Sequence, residues 1–258
     1  MIHINGLRNT DIFNIFVWCW IGFSIVIFLS LLKITAPYGR HARKGWGTLL
    51  SNKIGWILME IPSFLIPVLY FFKYRAYLSR NPQLIFATLW IMHYFYRSLF
   101  FPFKLHSKKD IPLSIVAMGF FFNIVNSLIN MISITHIKKY SQIWMGDPRF
   151  IIGVILFITG FLLHYTSDSK LISLRRNGEN GYKIPEGGIF NFVSSPNYFG
   201  EILEWTGWAI ATWSLAGLSF ALWTFANLAP RALANHKWYK ENFPTYPENR
   251  KALIPYIL

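Results

Sequence analysis

Asn197, Glu201 and Glu204 stand within two helical turns of one another in "SSPNYFGEILEWTGWAIATWS", a stretch that is otherwise apolar and aromatic. Asn197 and Glu201 are four residues apart and share a helix face, with Glu204 one turn further on. A second group lies upstream in "LLHYTSDSKLISLRRNGENGYKIPEGGIF", where His164, Asp168 and Arg175 put an imidazole, a carboxylate and a guanidinium on one helical stripe. Arg176, Tyr182 and Lys183 then surround a Gly-rich turn. Guanidinium groups take phosphate in bidentate fashion, and glycine lets the backbone approach an anion. Together these residues point to an anionic, phosphate-bearing ligand beside a greasy pocket.

Two further places carry polar groups inside apolar runs: Glu60 in "GWILMEIPSF", followed by Pro62, and "MHYFYR", with His93, Tyr94, Tyr96 and Arg97. An ionisable group at membrane depth costs about 2.5–3.5 kcal/mol, so each marks a functional site by default. Structural roles compete with that reading. Glu60 would also serve as a snorkelling or paired carboxylate, the tyrosines as an interfacial belt, and Asn197 with Glu201 as a polar tie between helices. Glu204 either faces the same cavity or pairs with a neighbouring helix.

The elements that must position these groups are transmembrane helices. Hydrophobic residues make up 53% of the chain and charged residues only 14%, too little polar surface for a soluble globule of 258 residues. Apolar runs recur at Ile12 to Leu32, Ile54 to Phe72, Pro82 to Tyr96 (continuing to Phe103), Ile111 to Thr135 and Phe150 to Thr166. A hydrocarbon core of roughly 30 Å needs about 20 helical residues. The last run, from Ser195 to Trp238, is long enough for two helices with a tight break near "WSLAGLS". Seven spans with the amino terminus outside put 18 of the 25 Lys and Arg on the cytoplasmic side and 7 outside; six spans give 13 against 12. The positive-inside rule therefore selects seven spans, amino terminus outside or lumenal and carboxyl terminus cytoplasmic, in one domain over residues 1–258.

The net charge of +14 reads as orientation and contact with anionic lipid, not as nucleic-acid binding. The single cysteine, Cys19, excludes an internal disulfide. No two of the seven histidines lie at i, i+3 or i, i+4, so no metal site is expected. There is no GxGxxG after a strand and no GxxxxGK[ST], so any nucleotide is bound by the helical bundle itself.

"MEIPSF", "HYFYR", "SDSKLISLRR", "GYKIPEGGIFNFVSSPNYFGE", "NYFGEILEWTGWAIATWSL" and the ending "WYKENFPTYPENRKALIPYIL" together resemble the steroid 5α-reductase family, the 3-oxo-5-steroid 4-dehydrogenases. The likeness runs from about Pro37 to the last residue and is most specific over about 195–258. It implies a seven-helix membrane enzyme that uses NADPH to reduce the C4–C5 double bond of a 3-oxo-Δ4-steroid. It assigns Glu60 and Tyr94 to the 3-oxo group, with Trp56, Met59 and Trp205 lining the substrate pocket. Cofactor contacts carry over to Asp168, Arg175, Tyr182, Asn197, Glu201, Arg231 and Tyr239, with Arg97, His164, Lys183 and His236 as looser correspondences. Three departures bear on substrate preference: Met59 stands where many relatives have glutamine, His164 where asparagine is common, and "ANHKWY" keeps only His236 of a histidine-rich turn. The implied setting is the endoplasmic reticulum of a eukaryote or the inner membrane of a bacterium, with no obligatory protein partner. Other classes stay open: a reductase of an enoyl thioester or polyprenal, a membrane methyltransferase using S-adenosylmethionine, or a transporter.

Overall fold

The computed structural model describes residues 9–75, 81–105, 109–174 and 182–258. Among the described residues, seven long helices alternate in direction: α1 (Asn9–Lys33), α2 (Asn52–Lys73), α3 (Asn81–Phe95), α4 (Leu113–Ile132), α5 (Pro148–Ser173), α6 (Pro196–Thr212) and α7 (Leu215–Asn242). A π-helical turn, Tyr96–Phe100, and a last α-turn, Phe101–Lys104, prolong α3; a second π-turn, Ser133–Ile137, ends α4. Five of these elements are long and apolar enough to cross a membrane, α1 to α5; α6, at 17 residues, and α7, with its charged second half, are not among them. Their outer faces carry Ile15, Val26, Leu69, Phe121 and Ile155, all exposed, as a lipid-facing surface requires. The chain is an all-α membrane protein; among the described residues its β structure is a two-residue antiparallel pair, β1 (Leu49–Leu50) with β2 (Ile111–Pro112), and an isolated bridge between Val193 and Lys251.

Local chemistry sets the helix ends. Ser51 caps α2 by accepting from the Ile54 amide, and Asp147 caps α5 through the Arg149 amide with Pro148 at the first helical position. The break within the last apolar run falls at Trp213, whose backbone is left-handed (φ 42°), followed by Ser214, which accepts from the Gly217 amide. The last carbonyls of α6 are satisfied from the α4–α5 connection: Tyr140 donates to the Thr212 carbonyl (2.6 Å) and Trp144 to the Ala211 carbonyl (3.0 Å).

Two helix pairs position the site. α2 and α4 run parallel, with Gly55 beside Val116 and Met59 beside Gly119. α5 and α6 run antiparallel with their backbones in contact. Gly153 faces Gly207 and Ala211, and Gly160 faces Gly200 and Glu204. A Cβ on Gly160 would lie 2.3 Å from the Glu204 nitrogen, and one on Gly207 2.4 Å from the Phe157 nitrogen. Behind them Trp90, Trp205, Trp208, Phe157 and Phe220 interlock as a fully buried aromatic core joining α3, α5, α6 and α7.

Main chain cannot yield as a side chain can, so a methyl group at these glycines forces the helices apart. Overpacking typically costs about 1–3 kcal/mol, and Gly160→Ala and Gly207→Ala are expected at or above the upper end. Gly22→Ala, where open space surrounds the Cβ position, should be neutral or stabilising by up to about 1 kcal/mol. Thermal unfolding of the three variants in one detergent checks the ordering.

Candidate functional site

A cleft opens at the end of the bundle where the chain connects α1 to α2, α3 to α4 and α5 to α6. Its deep compartment, about 1040 Å³ including its open side, is walled by Trp56, Met59, Glu60 and Tyr94, by Gly119, Phe122 and Asn123 of α4, and by Phe220, Trp223 and Leu228 of α7. Its mouth, about 940 Å³ on the same basis, is lined by Arg40, His41, Tyr182, Ser194, Ser195 and Asn235. Tyr38, Phe101, Asp168, Asn197, Tyr198 and Arg231 belong to both walls, so the compartments communicate.

The charged groups form a chain across the shared wall. Arg97, placed by the π-turn of α3 and only 7% exposed, lies 3.6 Å from Glu60 and 3.5 Å from Asp168, its guanidinium over the rings of Trp56 (4.8 Å) and Phe101 (4.5 Å). Asp168 also accepts from Asn197 (2.9 Å) and lies 3.0 Å from His164 Nε2, one helical turn away. The second nitrogen of His164 faces Glu201 (3.8 Å) and Glu204 (3.7 Å), and Glu204 is hydrogen-bonded to His93 of α3 at 2.7 Å. Each buried carboxylate thus faces a cation or an imidazole, which is the condition for keeping such groups in a low-dielectric interior.

At the mouth, Arg231 lies over the Tyr38 ring at 4.3 Å. Burial pushes the Tyr38 phenol up to about 12, with Arg231 pulling the other way, so it stays a neutral donor at pH 7. Desolvation lowers His41 below its ordinary value, the hydrogen bond from its ring to Asn235 (3.1 Å) opposing, so His41 is neutral there as well. Arg40 lies between the rings of Tyr182, Trp238 and Tyr239 and donates to the Tyr239 hydroxyl (3.3 Å). Among the described residues its Nη1 is buried without an acceptor.

Of the residues singled out in the sequence, Trp56, Met59, Glu60, Tyr94, Arg97, His164, Asp168, Asn197, Glu201 and Arg231 converge on the deep compartment, and Tyr182 lines the mouth. Tyr239 and His236 stand behind the mouth, Tyr239 beneath Arg40 and His236 against Ser194 (2.6 Å). Lys183 is exposed and belongs to neither wall. Arg175 and Arg176 lie outside the described residues. Trp205, expected on the substrate wall, instead sits inside the aromatic core, its ring centroid 4.1 Å from that of Phe220, and Phe220 is the ring that meets the cavity. Glu204 resolves to the helix-pairing alternative, through His93.

Tyr38, Arg40, Tyr198 and Asn123 were not singled out. Tyr38 and Arg40 sit in "APYGRHARKGWG", where the positive charge reads as topology alone. Asn123 belongs to a visible signal, the Asn123, Asn126, Ser127, Asn130 stripe at helical spacing in α4. His93, His164 and Glu204, from three helices, bring their ligating atoms within 4.8 Å of one another. That cluster already contains the 2.7 Å His93–Glu204 hydrogen bond, which a metal ion would have to displace.

The family model for 3-oxo-5-alpha-steroid 4-dehydrogenase matches residues 109–258. The chain is 42% identical to steroid 5-alpha-reductase DET2 of Arabidopsis thaliana over 239 residues, covering 88% of this chain and 90% of the relative. It is 39% identical to 3-oxo-5-alpha-steroid 4-dehydrogenase 1 of Bos taurus over 237 residues (91% and 92%) and 36% identical to that of Homo sapiens over 243 residues (94% and 93%). By the matched half of its length and by these relatives along nearly all of it, the chain belongs to the 3-oxo-5-alpha-steroid 4-dehydrogenase family, the steroid 5-alpha-reductases.

Proposed function

We propose that the protein is a multi-pass membrane enzyme that reduces the C4–C5 double bond of 3-oxo-Δ4-steroids to 5α-dihydro-3-oxosteroids with NADPH. In this reading α6 and α7 are the sixth and seventh spans, the amino terminus lies outside, and the cleft mouth faces the cytoplasm. The orientation rests on the distribution of Lys and Arg. The observation that carries the reaction is the presence of Glu60 and Tyr94 together in the wall of a largely apolar compartment that opens directly onto a basic mouth.

The mouth suits a phosphate-bearing dinucleotide. Arg231 and Arg40 bring fixed positive charge, Arg40 keeps a buried donor without an acceptor among the described residues, and Asn197, Tyr198 and Tyr38 add polar edges toward the deeper space. Arg231, Arg40, Tyr182, Asn197 and Glu201 are the residues assigned to hold the cofactor, with Arg97, His164 and Asp168 fixing the wall beside its reactive end. NADPH supplies the hydride when bound there. The chain's own part is to polarise the acceptor. An enone accepts hydride at its β-carbon as negative charge moves onto the carbonyl oxygen, so a donor aimed at that oxygen favours the transition state over the ground state. Tyr94, 4% exposed, is held in place for that purpose by Trp90 and Trp205 behind its ring and by a side-chain hydrogen bond with Ser63.

With purified protein and a 3-oxo-Δ4-steroid, Glu60→Gln and Tyr94→Phe should each lower the rate of NADPH oxidation by about 10²-fold or more; full activity in both would remove the assignment. Arg231→Met should raise the KM for NADPH about 10-fold, the scale of one charge-assisted contact, with a smaller effect on the steroid KM. NADPH at 100 times its Kd should stabilise the protein by about 2.7 kcal/mol in thermal unfolding. Stabilisation by S-adenosylmethionine in place of NADPH would turn the reading to a methyltransferase.

A further inference from the structure

A directed hydrogen-bond chain runs from the middle of α4 to Glu60. Ser127 hydrogen-bonds to the Ser63 hydroxyl (2.8 Å), Ser63 donates to Asn123 Oδ1 (2.8 Å), and the Asn123 amide donates to the Met59 carbonyl (2.6 Å) and to Glu60 Oε2 (3.4 Å). Ser63, Ser127 and Asn123 are all buried, Asn123 at 6% exposure, so the chain lies inside the protein up to the point where Asn123 and Glu60 meet the deep compartment, and each bond polarises the next. Its direction is fixed. A flipped Asn123 would set its oxygen against the Met59 carbonyl 2.6 Å away and against Glu60, two acceptors with no proton to offer unless the carboxyl carried one.

Glu60 therefore meets a donor at each oxygen: Asn123 at Oε2 and Arg97 at Oε1 (3.6 Å). One lone pair of each oxygen is thus already met by a donor, an arrangement that favours the ionised carboxyl over the protonated one. The geometry points to Asn123 as a positioning residue that holds Glu60 as a hydrogen-bond-accepting carboxylate. Tyr94, whose side chain shares a hydrogen bond with Ser63 of the same hydrogen-bond chain, is then the group left to donate to the substrate carbonyl, with Glu60 as the negative charge near it. Position 59 takes part only through its main chain. The Met59 side chain lies against α4, where a Cβ on Gly119 would come within 2.9 Å of its Cγ. The polar contact to Glu60 thus comes across from α4, not from its neighbour in α2.

This inference rests on the proposed roles of Glu60 and Tyr94, and the test separates the two. Single-turnover NADPH oxidation with a 3-oxo-Δ4-steroid is measured on the full chain in lipid nanodiscs, for Asn123→Leu and Asn123→Asp, alone and combined with Glu60→Gln. Both replacements keep the branched four-atom shape of the asparagine side chain, Asp its volume as well, so Asp carries the test if the bulkier Leu fails to fold. In the unmodified background each should slow the step about 10-fold or more, with the KM for NADPH changed less than about twofold. In the Glu60→Gln background the further loss should be under about threefold, because the partner it positions is gone. A merely structural Asn123 would slow both backgrounds by the same factor and lower the thermal midpoint of both. Equal factors in the two backgrounds, or no loss from either Asn123 variant, overturn this inference while leaving the site. A Glu60→Gln enzyme at full rate overturns the site reading itself.

Discussion

The backbones of α5 and α6 touch, and the polar half of the cleft depends on that contact. Within a bilayer there is no hydrophobic drive for one apolar helix to choose another, so close approach through small residues, with its dispersion and weak Cα–H···O contacts, decides the pairing. Gly153, Gly160, Gly200 and Gly207 supply it at intervals of seven, twice on each helix. A Cβ on Gly200 would fall 2.5 Å from the His164 nitrogen. The residues that meet across this seam are the ones that build the site: His164 with Glu201 and Glu204, and Asp168 with Asn197. Their spacing is set by main chain against main chain, not by flexible side chains.

Charge balance is the second constraint, and it explains why the seam needs a third helix. Within the seam one imidazole, His164, is shared between Glu204 and Asp168, and α3 adds a second partner to each, His93 to one and Arg97 to the other. Removing one partner of a buried pair typically costs about 3–5 kcal/mol, because the other charge is then stranded. The tryptophans keep α3 in place. Trp90 packs at a tilt against Trp205 and edge-to-face against Trp208 of α6, and donates its indole proton to the Ser63 carbonyl of α2 (2.9 Å). One side chain thus joins the helix of Tyr94, the helix of Glu60 and the seam helix.

Much of this was legible in the sequence, for reasons that are local. Apolar runs of the right length mark the helices, and i, i+4 spacing puts His164 with Asp168 and Asn197 with Glu201. Trp205 shows where that reasoning stops. An aromatic residue beside polar neighbours reads equally as pocket or core, and only the packing of α3 and α7 against α6 puts Phe220 between it and the cavity. Histidines 71 positions apart cannot be paired by any same-helix rule, so the meeting of His93 and His164 around Glu204 was invisible. The α4 stripe of Asn123, Asn126, Ser127 and Asn130 was visible, and its target was not, since the register of α4 on α2 is set by Met59 against Gly119.

The mouth is built by loops, which in most proteins are the mobile part, yet here they are tied to one another and to the bundle. β1 pairs with β2, joining the α1–α2 and α3–α4 connections, and Val193 bridges Lys251, joining the entry of α6 to the last residues of the chain. Arg250 donates to the Pro185 carbonyl (2.9 Å), and Ser194 meets both His236 and Tyr246 at 2.6 Å. Arg40 and His41 are held in turn by Tyr239 and Asn235 of α7. A charged mouth assembled this way has spent its ordering entropy in folding, so a ligand reaching Arg40 and Arg231 meets preorganised donors. Because Tyr38, Asn197 and Arg231 belong to both compartments, whatever orders the mouth also fixes the wall that the deep compartment presents to a second, apolar ligand.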